Sequence, residues 1–119
     1  MKILDTNIVI YLQKGLLNQK LPEDNYAISI ITEIELLSFS GLLPTQEKWL
    51  QRFIASVTVF PLDQTIKDST IKLRKTHKLK IPDAIIVATA LIHKSCLLTA
   101  DKQLLTLPKL KVETVELCK

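Results

Sequence analysis

Five short apolar, β-prone segments recur along the chain, KILD, YAISI, VTVFPL, SCLLTAD and KVETVEL, and helical periodicity fills most of the intervals between them. That alternation constrains the fold more than any other feature. In NIVIYLQKG, Ile8, Tyr11 and Leu12 repeat at i, i+3 and i+4, which predicts a helix ending near Gly15. TEIELLSFSGL follows the second segment, and Thr32 and Glu35 stand in the spacing of a capping box at its start. Strands alternating with helices over short connections predict an α/β fold, with a parallel sheet of four to five strands covered by helices on both faces.

The remaining helices are legible in the same way. Pro44 and Thr45 open QEKWLQRFIASV, where Trp49, Leu50, Phe53, Ile54 and Val57 form one apolar face. Asp63 to His77 reads as helical and basic, and DAIIVATALIHK after Pro82 is apolar on nearly every side, which predicts a central, buried helix. KQLLTL is a short amphipathic piece before the last strand. At 119 residues the chain is expected to form one domain, 1–119, with a single core. The opening apolar segment is too short to span a bilayer and has no leader-like flanks, so the expected location is the cytoplasm, with no membrane association. Glycine occurs only at 15 and 41, which excludes Gly-rich phosphate and dinucleotide loops. Cys96 and Cys118 have neither a redox nor a metal-ligand spacing.

In parallel α/β sheets, ligands bind beyond the carboxyl ends of the strands, so acids at strand exits converge whatever their separation in sequence. Asp5 follows the first strand, Glu35 lies a helical turn after the second, Asp83 begins the central helix, and Asp101 follows the fourth strand. Each could serve alone as a helix cap or turn residue. Together at one edge they repel, and a fold that gathers them needs a cation to offset the charge. Oxygen ligands without convergent Cys or His suit Mg²⁺ or Mn²⁺ rather than zinc, and such ions favour phosphate as a further ligand, which points to phosphodiester chemistry. His77 and His93 fit no mutual ligand spacing and are expected to be surface or packing residues.

Lys67, Lys72, Arg74, Lys75, Lys78 and Lys80 face only Asp68 as an opposing charge in a stretch that ends beside Asp83. A solvated helix face is one reading. A polyanion cradle, with Lys72, Arg74, Lys75, Lys78 and Lys80 binding substrate, is the other, and the formal net charge of +4 is compatible with it.

ILDTNIVIYL, ISIITEIELL, LKIPDAIIVATAL and LLTADKQL, in that order and spacing, resemble a PIN domain, and closely a VapC-type toxin of a toxin–antitoxin pair. The likeness runs over essentially the whole chain. It implies a Mg²⁺- or Mn²⁺-dependent ribonuclease with Asp5, Glu35, Asp83 and Asp101 as acidic ligands and Thr6, Asn7 and Thr99 as supporting polar residues. It also implies an RNA substrate, a small antitoxin partner and a toxin homodimer. Alternatives within the family are a processing nuclease without an antitoxin and a degraded, RNA-binding module. A receiver-like domain wants paired acids at the first strand, and a D-x-D phosphotransferase wants an acid where Asn7 stands.

Overall fold

The structure is a computed structural model that describes residues 1–118. Among these, the strands are β1 (Lys2–Leu4), β2 (Tyr26–Ser29), β3 (Thr58–Phe60), β4 (Cys96–Leu98) and β5 (Val112–Glu113). The helices are α1 (Thr6–Gln13), α2 (Ile30–Leu37), α3 (Pro44–Ser56), α4 (Gln64–Thr76), α5 (Ile81–Ile92) and α6 (Lys102–Leu105). The strands form one sheet in the order β3-β2-β1-β4-β5, and every pairing is parallel. The connections run one way from β1 to β3 and the other way from β4 to β5, which puts the topological switch between β1 and β4.

Alternation along the short strands builds the two layers. Ile3, Ala27 and Leu97 pack with Ala84, Ile86, Val87 and Ala90 of α5, whereas Leu4, Ile28 and Leu98 pack with Ile8 and Val9 of α1, Leu36 of α2 and Leu50 of α3. Neighbouring strand residues therefore serve opposite faces, as the pleat requires. Helix α5 is buried from Ala84 to Ala90, because α4 covers its outer side, Ile66 packing with Ile85 and Ala88 of α5. An all-round apolar helix is thus the middle layer of three.

Two elements differ in their bounds from the sequence reading. Helix α2 begins at Ile30 under an N-cap from Ser29, whose Oγ accepts from Ile31 N at 3.1 Å. Thr32 is inside the helix and fully buried, so the Thr32–Glu35 capping box does not form. The last strand holds only Val112 and Glu113; the chain after it turns back to bridge Leu117 with Leu17. His93 is a packing residue, stacked on Phe60 with ring centroids 3.7 Å apart. Both cysteines are free, Cys96 half-buried and Cys118 exposed. No helix among the described residues is long and apolar enough to cross a membrane.

Candidate active site

Asp5 leaves β1 at the centre of the sheet, and Thr99 and Asp101 leave β4 directly beside it. The backbone crosses the switch point here, with Asp5 N donating to Leu98 O at 2.9 Å. Asp5 is 5% exposed, and both carboxylate oxygens are engaged: Oδ1 accepts from Thr6 N at 2.8 Å and Oδ2 from Thr99 Oγ1 at 2.7 Å. Asp5 is also the N-cap of α1, so the cap role open to it in the sequence and its place among the acids coexist. Burial pushes its carboxyl above the usual range; the bonds from Thr99 and Thr6 oppose this, and the charge of Asp101 adds to it.

Thr6 Oγ1 donates to Glu35 Oε1 at 2.7 Å and lies 3.0 Å from Thr32 Oγ1. Glu35 is thereby drawn from α2 towards the exit of β1. Asp101 caps α6, its Oδ1 accepting from Gln103 N at 2.8 Å, while its own N–H donates to Thr99 Oγ1 at 3.0 Å. Thr99 therefore links two of the acids through one fully buried hydroxyl.

Asp83 sits half-buried in the first turn of α5. Its carboxyl is raised first by burial and then by the charges of Asp5, Asp101 and Glu35, with Lys80 pulling the other way. Asp5, Asp101 and Glu35 thus all lie within electrostatic reach of Asp83. The structure brings together the four predicted acids, Thr6 and Thr99; Asn7 is exposed, and no side-chain bond ties it to the group. Thr32 is the polar residue that sequence reasoning misplaced. Its signal was its i, i+3 relation to Glu35, which puts both on one helix side once the helix starts at Ile30.

The donor set is compatible with a hard divalent cation, although no three His, Cys, Asp or Glu side chains among the described residues stand close enough to grip one ion as placed. Mg²⁺ keeps several waters and is commonly held by only one or two carboxylates. Among the described residues no hydrogen bond engages the Asp83 carboxylate, and the bonds to Glu35 and Asp101 fall on one oxygen of each.

The basic segment is divided. Lys80, at the N-cap of α5, faces Asp83. Arg74 and Lys75 instead line, with Lys67, a hollow of about 540 Å³ walled by Leu62, Ile71, Ile81 and Ile85. Lys72 and Lys78 are exposed. A second, smaller groove of about 160 Å³ runs between α1, α2 and α3, lined by Ile10, Leu36, Phe39, Leu42 and Leu50, with Glu35 also on its wall.

An all-parallel α/β sheet with carboxylates gathered at its switch point defines a class of acid-edged α/β domains. The chain belongs to the PIN-domain family, whose model matches residues 2–110. Among solved structures, it is similar to a toxin–antitoxin complex from Klebsiella pneumoniae, at 32% identity and a TM-score of 0.79, covering 96% of this chain and 97% of that one. VapBC-1 from nontypeable Haemophilus influenzae matches at 26% identity and a TM-score of 0.77, covering 95% and 96%. DNA-bound VapBC from Salmonella typhimurium shares the fold at 21% identity and a TM-score of 0.78, covering 95% and 96%. No curated protein matches the sequence.

Proposed function

We propose that this chain is a VapC-type toxin, a metal-dependent endoribonuclease that acts on RNA phosphodiester bonds in the cytoplasm and is held in check by an antitoxin. The observation that carries the reading is the convergence of four acids in a PIN domain: Thr99 bridges Asp5 and Asp101, Thr6 next to Asp5 holds Glu35, and Asp83 lies within electrostatic reach of all three. Asp5, Asp83, Asp101 and Glu35 would hold Mg²⁺ or Mn²⁺. When bound, such an ion supplies Lewis acidity and an activated water.

The chain's own residues orient the site. Thr99 and Thr6 fix the carboxylates of Asp5 and Glu35, and Lys80 offsets charge beside Asp83. Lys80, nearest the acids, and the exposed Lys72 and Lys78 would draw in the RNA backbone, whereas Arg74 and Lys75 border the hollow between α4 and α5. The neighbours are toxin–antitoxin complexes, and the apolar groove beside Glu35 gives an antitoxin segment a place to lie. Exposed Leu62, Ile71 and Ile81 leave an apolar face for the second copy of a homodimer. Sedimentation of the isolated chain tests the dimer, and a monomer at every concentration rejects it.

The decisive experiment incubates the purified, partner-free chain with total RNA and Mg²⁺ or Mn²⁺, with Asp5→Asn alongside. The wild type is expected to cut RNA only with the divalent ion, and Asp5→Asn to lose about 100-fold or more of the rate while folding normally. Equal cleavage by both proteins would reject the assignment.

A further inference from the structure

Gln103, in the exposed first turn of α6, holds two pieces of the acidic edge at once. Its backbone N–H donates to Asp101 Oδ1 at 2.8 Å. Its side-chain Nε2 donates to the carbonyl of Lys78, also at 2.8 Å, across 25 residues of sequence. The second bond ties α6 to the loop between α4 and α5. Below it, Leu79 and Leu104 lie in one buried cluster, and Arg74 Nε takes the next carbonyl, that of Leu79, at 3.2 Å. Two successive loop carbonyls are therefore held by side chains from two different helices.

Two residues further on, the Lys80 carbonyl accepts from Ala84 N at 2.9 Å and starts α5. A shift of the loop would carry with it Lys80 and the turn that presents Asp83. Asp83 stands in the first turn of α5, so the path of this backbone decides where its carboxylate lies. Apolar packing of Leu79 and Leu104 within their shared cluster sets the depth of the loop but is non-directional, whereas a hydrogen bond of this length sets direction as well.

We propose that Gln103 is a positioning residue, which through its bond to the Lys78 carbonyl keeps Lys80 and Asp83 in register with Asp101. Its consequence for activity rests on the metal-dependent nuclease reading above; its effect on the loop and on cation uptake is measured without cleavage.

The test compares the full chain with Gln103→Met, which keeps length and helix propensity and loses the donor, and with Gln103→Glu, which loses the donor and adds a negative charge. Three quantities are read: hydrogen exchange of residues 77–83, the midpoint of a calorimetric Mn²⁺ titration, and the melting temperature. For Gln103→Met, exchange in 77–83 is expected to quicken and the Mn²⁺ midpoint to weaken by about tenfold, the lower end for outer-shell partners, with little change in melting. Gln103→Glu is expected to weaken Mn²⁺ uptake as well, although charge alone would tighten it. Unchanged exchange, an unchanged midpoint in Gln103→Met, or a tighter midpoint in Gln103→Glu would overturn the proposal. If the wild type binds Mn²⁺ but leaves RNA intact, the nuclease reading falls and the positioning role is still decided by the titration. A wild type that takes up no Mn²⁺ overturns both.

Discussion

Asp5 combines a structural and a site role. Its Oδ1 caps α1, while its Oδ2 depends on Thr99 for its one hydrogen bond. Thr99→Val keeps the shape but leaves that nearly sealed oxygen without its donor, so a loss of about 1–3 kcal/mol is expected from chemical denaturation; a neutral result would show that solvent already satisfies Asp5. The pH dependence follows from the raised carboxyls of Asp5 and Asp83. Between the usual aspartate value and the raised one, the folded chain binds more protons than the unfolded chain, so stability falls as pH rises through that window. Divalent cations compete with those protons, and Mn²⁺ should therefore raise the melting temperature more above the window than below it. Subtracting the melting profile of Asp83→Asn from that of the wild type isolates the contribution; a difference that grows more stabilising with pH in the absence of metal would refute the sign. Asp5, Asp83 and Asp101 were legible in the sequence because each follows a strand or stands in the first turn of a helix, whereas Glu35 lies inside α2 and was placed by its distance from the second strand. The Thr99 bridge was not legible from geometry, since it joins residues 94 apart and exists only once β1 and β4 are neighbours.

At the scale of elements, α2 shows where sequence signals compete. Ser29 and Thr32 are both cap-type residues, and Glu35 completes a box only with Thr32. The helix nevertheless starts at Ser29, where β2 pairs for the last time with Phe60 of β3, leaving Ile30 and Ile31 free to turn. This frees Glu35 to meet Thr6. Ser29→Ala is expected to cost about 1 kcal/mol, the usual loss for a missing N-cap, and a denaturation curve unmoved by it would return the helix start to Thr32. Helix α5 was legible for the opposite reason, because no polar face offers an alternative placement. Its Ala88, fully buried against α4, should not accept a larger side chain: Ala88→Leu is expected to destabilise by about 1–3 kcal/mol through overpacking.

Across the whole molecule, charge sets a condition on the proposed function, since under that proposal the most acidic edge is where RNA would have to go. Four of the 12 acids stand there, and 16 lysines and arginines face the remaining eight. The formal net charge of +4 favours RNA at long range, while at the edge Lys80 must offset the repulsion between carboxylates and phosphates. RNA binding should therefore weaken steeply with salt, each lost phosphate contact lowering the slope of log K against log salt by about 0.7 for a single strand. Lys80→Gln is expected to lower that slope by about one contact, and Lys75→Gln by less if the α4–α5 hollow faces a protein partner instead of RNA. Both are best measured in an Asp5→Asn background, where the RNA survives the titration. Equal slopes for Lys80→Gln and its parent would remove Lys80 from the path of the RNA, and its charge would then serve only to offset part of the repulsion around Asp83.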